Sequence, residues 1–232
     1  MDELVSGLAW YVAFVFSVTL HEGAHALAAK LGGDPTAYEG GQATIDPVPH
    51  IRREPVGMVV LPILSLAFFG WPIGFASAPY DPRWAERHPR RAAWMSLAGP
   101  GANLALVLVS TLVIWIGIAF GELHAPATAN FTHVVAATHG GIWNSVAFLL
   151  SIFFTLNLIL FLFNLFPLPP LDGSGALPLI LPEQTAARVR ALFANPMLAL
   201  FGLFIAWRLF APVFDVAFTV ALNVLHPGAQ YR

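Results

Sequence analysis

Between residues 92 and 182 the chain carries two charged side chains, Glu122 and Asp172. Within that stretch Ala92–Phe120 and Trp143–Leu171 are predominantly apolar and free of charged residues. Each exceeds the roughly 20 apolar residues that a helix needs to cross a bilayer. A soluble domain is about 25% charged, whereas 10% of these 232 residues are charged and 57% are hydrophobic. That leaves too little polar surface to cover a globule in water, and the mean hydropathy is +0.71. The expected class is an all-α membrane protein, a multi-span helical bundle forming one domain over residues 1–232 in a lipid bilayer.

Composition removes other classes. The 11 basic and 13 acidic residues give a net charge of -2 with no basic stripe, so no nucleic-acid partner is expected. The chain has no cysteine, which excludes disulfides and thiolate metal sites. Its start, Met1-Asp2-Glu3, is acidic where a signal peptide is basic, so the first apolar helix is expected to be retained.

The basic residues set an orientation, because cytoplasmic loops are enriched in Lys and Arg. Residues 30–54 carry Lys30, Arg52 and Arg53, residues 81–91 carry four arginines, and residues 183–190 carry Arg188 and Arg190. Residues 121–142 carry no Lys or Arg. Three core helices follow, at about 5–30, 92–120 and 143–171, the first running outside to inside. The uncharged stretch Pro55–Tyr80 has a basic loop at each end, and Pro62, Gly70, Pro72 and Gly74 interrupt it. It reads as a re-entrant hairpin within a membrane-dipping, β-like segment of about 40–80, in preference to a single crossing. Residues 40–51 read as extended structure and turns. The C-terminal helices occupy about 183–225, with Glu183–Phe193 as an interfacial amphipathic helix. Arg208 and Asp215 lie seven apart and read as a structural pair if the helix continues across Pro212.

Chemistry concentrates where the first helix ends. His21-Glu22-Gly23-Ala24-His25 is a His-Glu-x-x-His pattern. Histidines four apart share a helix face and can bind one Zn²⁺, with the adjacent Glu as general base. Ionisable groups at the end of a membrane helix are costly and default to function. A catalytic zinc takes three protein ligands, so one more is required. Glu39, His50 and Glu54 lie nearby in sequence, in a loop-like segment. The favoured third ligand is Asp172, the sole charged residue between Glu122 and Glu183, which ends an apolar helix beside Pro167, Pro169, Pro170 and Gly173. A helix-ending Asp-Gly turn would also account for it.

These segments resemble the site-2 protease family of intramembrane zinc metalloproteases. That family combines a His-Glu-x-x-His helix with a downstream Asn-x-x-Pro-x-Pro-x-x-Asp-Gly-like segment, here His21–His25 and Asn164–Gly173. A third shared element is Gly99-Pro100-Gly101-Ala102-Asn103 in the middle helix. Many members carry a PDZ domain between the last two core helices. The connection at 121–142 is too short for one, so the resemblance points to the small subgroup that lacks it. It implies one zinc held by His21, His25 and Asp172, with Glu22 as general acid/base. It also implies cleavage in or near a transmembrane segment of a single-span membrane protein. Asn103 and Asn164 become candidates to hold substrate or the oxyanion, Asn157 reads as packing, and Gly99-Pro100-Gly101 as a kink or close-packing device. The resemblance further suggests a prokaryotic inner membrane, with the site near the cytoplasmic face. The competing reading is a metal transporter or metal-binding scaffold without proteolysis.

Overall fold

A computed structural model describes residues 3–231; Met1, Asp2 and Arg232 lie outside the described residues. Among the described residues four helices are long and apolar enough to cross a membrane: α1 (Glu3–Leu31), α6 (Pro89–Ala119), α7 (Ile142–Asn164) and α10 (Pro196–Leu225). Shorter helices join them: α2 (Thr36–Glu39), α3 (Pro47–Arg53), α4 (Leu61–Phe69), α5 (Pro82–Arg87), α8 (Asp172–Ala176) and α9 (Glu183–Phe193). A two-stranded antiparallel ribbon, β1 (Leu123–His124) and β2 (Ala136–Ala137), closes the connection between α6 and α7.

α6 packs between α1 and α7, and α1 also touches α7. Two apolar cores hold this arrangement. Trp10, Phe14, Val18, Met58, Ile152 and Leu156 join α1, α7 and the segment before α4. Val107, Ile114, Phe154, Phe214 and Phe218 join α6, α7 and α10. Leu123, Val134 and Val135 bring the ribbon connection into that second core. The His-Glu-x-x-His helix is thereby pressed against the middle helix.

Pro55–Tyr80 is a hairpin that returns to its own side. A π-turn, Val56–Val60, continues into α4, and these 14 residues (56–69) rise about 21 Å, short of the roughly 30 Å hydrocarbon layer. Gly70, at φ 77°, ends α4 in the left-handed conformation, which glycine adopts without strain. The chain then runs back without regular structure. Ile73 N–H donates to Ser65 Oγ at 2.7 Å, and Phe75 N–H donates to the Gly57 carbonyl at 3.1 Å. The two ends meet: Ser77 Oγ donates to Glu54 at 2.7 Å, and Asp81 N–H donates to Asp34 at 2.7 Å.

Two expectations are corrected. Residues 40–51 are not extended throughout, because Pro47–Arg53 is helical. Asp46 caps it by accepting the Val48 N–H at 2.9 Å, and Pro47 takes the first-turn position, where its missing donor and fixed φ favour a helix start. The third core helix ends at Asn164, not near 171. Pro167, Pro169 and Pro170 supply no N–H groups to extend it, and α8 begins anew at Asp172. α10 continues through Pro212 as one helix, yet Arg208 and Asp215 form no ion pair among the described residues.

Candidate active site

Three elements converge at one point. α1 brings His21 and His25, one turn apart, onto the face that meets α6. The irregular run after α7 carries Asp172 to the same place. Gly173 makes this possible, since a Cβ there would collide with the Leu165 and Phe166 carbonyls. Asp172 Oδ2 lies 3.0 Å from His21 Nε2 and 3.3 Å from His25 Nε2. The two Nε2 atoms are 3.0 Å apart. His21, Glu22 and His25 are all buried. Of the candidate third ligands, Asp172 joins the histidines, while Glu39, His50 and Glu54 are not in the group.

The hydrogen bonds place a proton on Nδ1 of each ring. His25 Nδ1 lies 2.7 Å from the Met95 carbonyl, which can only accept, so Nδ1 donates. For His21 the reasoning runs through two amides. Asn157 Nδ2 donates to the Phe153 carbonyl at 2.8 Å and to Ser17 Oγ at 2.9 Å. Its Oδ1 therefore accepts from Asn103 Nδ2, at 2.9 Å. Asn103 is thus oriented with Oδ1 toward His21 Nδ1, at 2.6 Å, and that nitrogen must donate. Neutral imidazoles protonated at Nδ1 present bare lone pairs at Nε2. Two such lone pairs and a carboxylate oxygen pointing at each other repel unless a cation lies between them. Consistent with this, the buried Oδ2 of Asp172 has no hydrogen-bond partner among the described residues.

The donor set suits zinc. Ligand atoms of a tetrahedral Zn²⁺ at about 2.0–2.1 Å stand about 3.3 Å from one another, close to the 3.0–3.3 Å separations observed. Outer partners that hold each His by its second nitrogen are the usual accompaniment of such a site. Gly99 completes the cradle, because a Cβ there would run into both His21 Nε2 and His25 Nε2. Glu22 is 5% exposed and has no hydrogen-bond or ion-pair partner among the described residues, so its carboxylate is uncommitted.

The amides are placed differently from expectation. Asn103 is fully buried and orients His21, with Oδ1 toward His21 Nδ1 and one Nδ2 hydrogen on Asn157. Asn157, read as packing, is the next link behind it. Asn164 Nδ2 donates to the Leu160 carbonyl of its own helix at 3.0 Å. The sequence signal for Asn157 was present, since an amide in an apolar span needs a partner. The Met95 carbonyl left no such signal.

A buried His-Glu-x-x-His pair completed by a carboxylate, set in a bundle of membrane-spanning helices, defines the class: a membrane-integral zinc metalloprotease. The sequence profile of peptidase family M50 matches residues 65–209, and the chain belongs to this family, the site-2 proteases. The matched region contains Asn103 and Asp172 and begins after His25. A Bacillus subtilis (strain 168) protein named "Putative zinc metalloprotease YwhC" is 32% identical over 77% of this chain and 71% of its own. Proteins named "Putative zinc metalloprotease Rip2" are similar too. The one from Mycolicibacterium smegmatis is 33% identical over 75% of this chain and 58% of its own. The one from Mycobacterium tuberculosis H37Rv is 34% identical over 80% and 65%. The chain thus spans less than two thirds of either Rip2 protein. No solved structure matches it.

Proposed function

We propose that this protein is an intramembrane endopeptidase that hydrolyses peptide bonds in or near transmembrane segments of single-span membrane proteins. His21, His25 and Asp172 hold the zinc, and Glu22 is the general acid/base. The convergence of two Nε2 lone pairs and the unpartnered Asp172 oxygen carries this reading. When bound, zinc supplies Lewis acidity toward water and the scissile carbonyl. The Glu22 carboxylate, free of other bonds, takes a proton from the attacking water and delivers one to the leaving amine. Asn103 and the Met95 carbonyl keep each imidazole in the tautomer that leaves Nε2 bare. A helical substrate hides its amides in backbone hydrogen bonds, so it must unwind locally before attack.

The site is proposed to lie near the cytoplasmic face of a prokaryotic inner membrane. In support, the basic loops gather at the catalytic end of the bundle. Arg91 Nη1 and Trp84 Nε1 both donate to the Gly32 carbonyl, at 3.2 and 3.1 Å, just beyond the end of α1. The connection at the opposite end has no Lys or Arg, as the positive-inside rule requires of an outer loop.

Glu22→Gln tests the reading. In detergent, with a panel of single-span proteins and a chelator control, the variant is expected to retain zinc and lose cleavage. Undiminished cleavage would remove Glu22 from the mechanism. Zinc flux across liposomes by the wild type, without proteolysis, would make the protein a transporter instead.

A further inference from the structure

A cavity of about 480 Å³ lies between α1, the tip of the hairpin, α7 and α10, and Phe131 and Thr132 of the α6–α7 connection close one side of it. Phe14 in its wall precedes His21 on α1 by seven residues, about 10 Å along the helix. The walls are almost wholly apolar and aromatic, and Trp71 of the hairpin stacks on Trp207 of α10 with ring centroids 6.1 Å apart.

One lining residue is charged, and it is Asp215. It stands ten residues before the end of α10 at Leu225, about 15 Å from that helix end. Its side chain is exposed, and among the described residues no hydrogen bond or ion pair engages it. Arg208, the cation nearest in sequence, does not pair with it. Carboxylates in membrane helices are rarely kept without a partner or a role. An ionised carboxylate can only accept hydrogen bonds, so a partner must donate.

We infer that the transmembrane helix of the substrate docks across this cavity, its side chains filling it, and that Asp215 selects a lysine or arginine carried by that helix. The inference rests on the intramembrane-protease reading and names the substrate class. The cavity supplies the apolar surface, and Asp215 supplies the charge to be matched.

The structure also sets where the basic residue falls. Asn157 is tied to Ser17 and, through Asn103, to His21. Phe163, six residues further along α7, is therefore level with the His21–His25 turn of α1. Phe210 packs on Phe163, with ring centroids 5.2 Å apart. Asp215 is five residues beyond Phe210, about 7.5 Å along the axis. That distance corresponds to about two residues of extended chain or about five of helix. The preferred basic residue lies within that range of the bond cleaved, toward the non-catalytic end.

The test uses the full chain with Glu22→Gln in phosphatidylcholine vesicles. The probes are leucine–alanine transmembrane peptides bearing a photocrosslinker and a central Asn-Gly break. One carries Lys two to five residues from the break, one carries Leu there, and one carries Glu. The Lys peptide is expected to crosslink about three- to twentyfold more than the Leu peptide, the range of interhelical side-chain bonds in membranes. Asp215→Asn should erase that preference, and Asp215→Lys should transfer it to the Glu peptide. Equal crosslinking of Lys and Leu peptides, or a preference that survives Asp215→Asn, overturns the inference. The same peptides given to protein with Glu22 intact separate the two readings. Binding preference without cleavage defeats the protease reading, and cleavage without preference defeats the docking role.

Discussion

Gly99→Ala adds one methyl group to the middle of α6, and the structure assigns it a large effect. The new Cβ would sit 2.5 Å from His21 Nε2 and closer still to His25 Nε2. Non-bonded heavy atoms rest about 3.5 Å apart, so the overlap is about 1 Å with both imidazoles at once. Relief requires α6 to move away or both rings to turn. Either motion also loosens the two outer bonds from α6, Asn103 to His21 at 2.6 Å and Met95 to His25 at 2.7 Å. Losing one such outer partner costs about 10–100-fold in metal affinity or activity, so disturbing both should lower activity at least about 100-fold. The fold should persist, because Ala is favoured over Gly in a helix interior by about 1 kcal/mol. The assay is zinc content by mass spectrometry after dialysis against graded chelator, with peptide cleavage and a thermal melt on the same sample. Gly101→Ala is the matched control, since a Cβ there meets nothing within 4 Å. If Gly99→Ala holds zinc and cleaves like Gly101→Ala, the packing of α1 on α6 at the two histidines is wrong.

The amide chain and the loop ends give two more expectations. Asn157→Leu removes the bond that orients Asn103, and is expected to lower zinc affinity about 10–100-fold, read by chelator competition. Asn157→Ser, which can still accept from Asn103, should recover part of the loss. Asp34 ties the hairpin's return to the end of α1. Burial alone would raise its pKa, but hydrogen bonds from the Thr36 hydroxyl, the Asp81 N–H and the Thr36 N–H outweigh this and lower it from 3.8. A lowered folded-state pKa contributes stability that is present above the unfolded value and is lost as pH falls through the folded one. Asp34→Asn should therefore melt earlier than wild type at neutral pH. The gap should close as the pH drops below 3.8, and a gap unchanged down to pH about 2 would refute the assignment.

Much of this architecture is legible in the sequence because a bilayer imposes one-dimensional rules. Segment length, absence of charge and the distribution of Lys and Arg identify α1, α6 and α7, and even the return of the hairpin, without tertiary information. His21, His25 and Asp172 stand out for the same reason, since an ionisable group in an apolar chain has few innocent explanations. The helix at Pro47–Arg53 escaped because Pro47 and Pro49 suggest extended chain. What decides the local fold is the Asp46 side chain, which satisfies a first-turn N–H and turns Pro47 into a helix starter.

The features missed at the site share a different cause: their signal is not in side-chain type. Every residue has a backbone carbonyl, and only the packing of α6 on α1 selects that of Met95. Gly99 reads from the sequence as a kink or close-packing position, but that it packs against two imidazoles from another helix is decided by the fold alone. Asn103 and Asn157 were visible as amides in apolar spans, yet which end of each amide points where is fixed by the Phe153 carbonyl on α7. From that carbonyl the constraint passes through Asn157 and Asn103 to the proton on His21 Nδ1. α7 thus sets the tautomer of a residue on α1 that it does not itself hydrogen-bond. The three spans can present a bare Nε2 at His21 only when they are assembled in register, so metal affinity depends on correct packing of all three core helices.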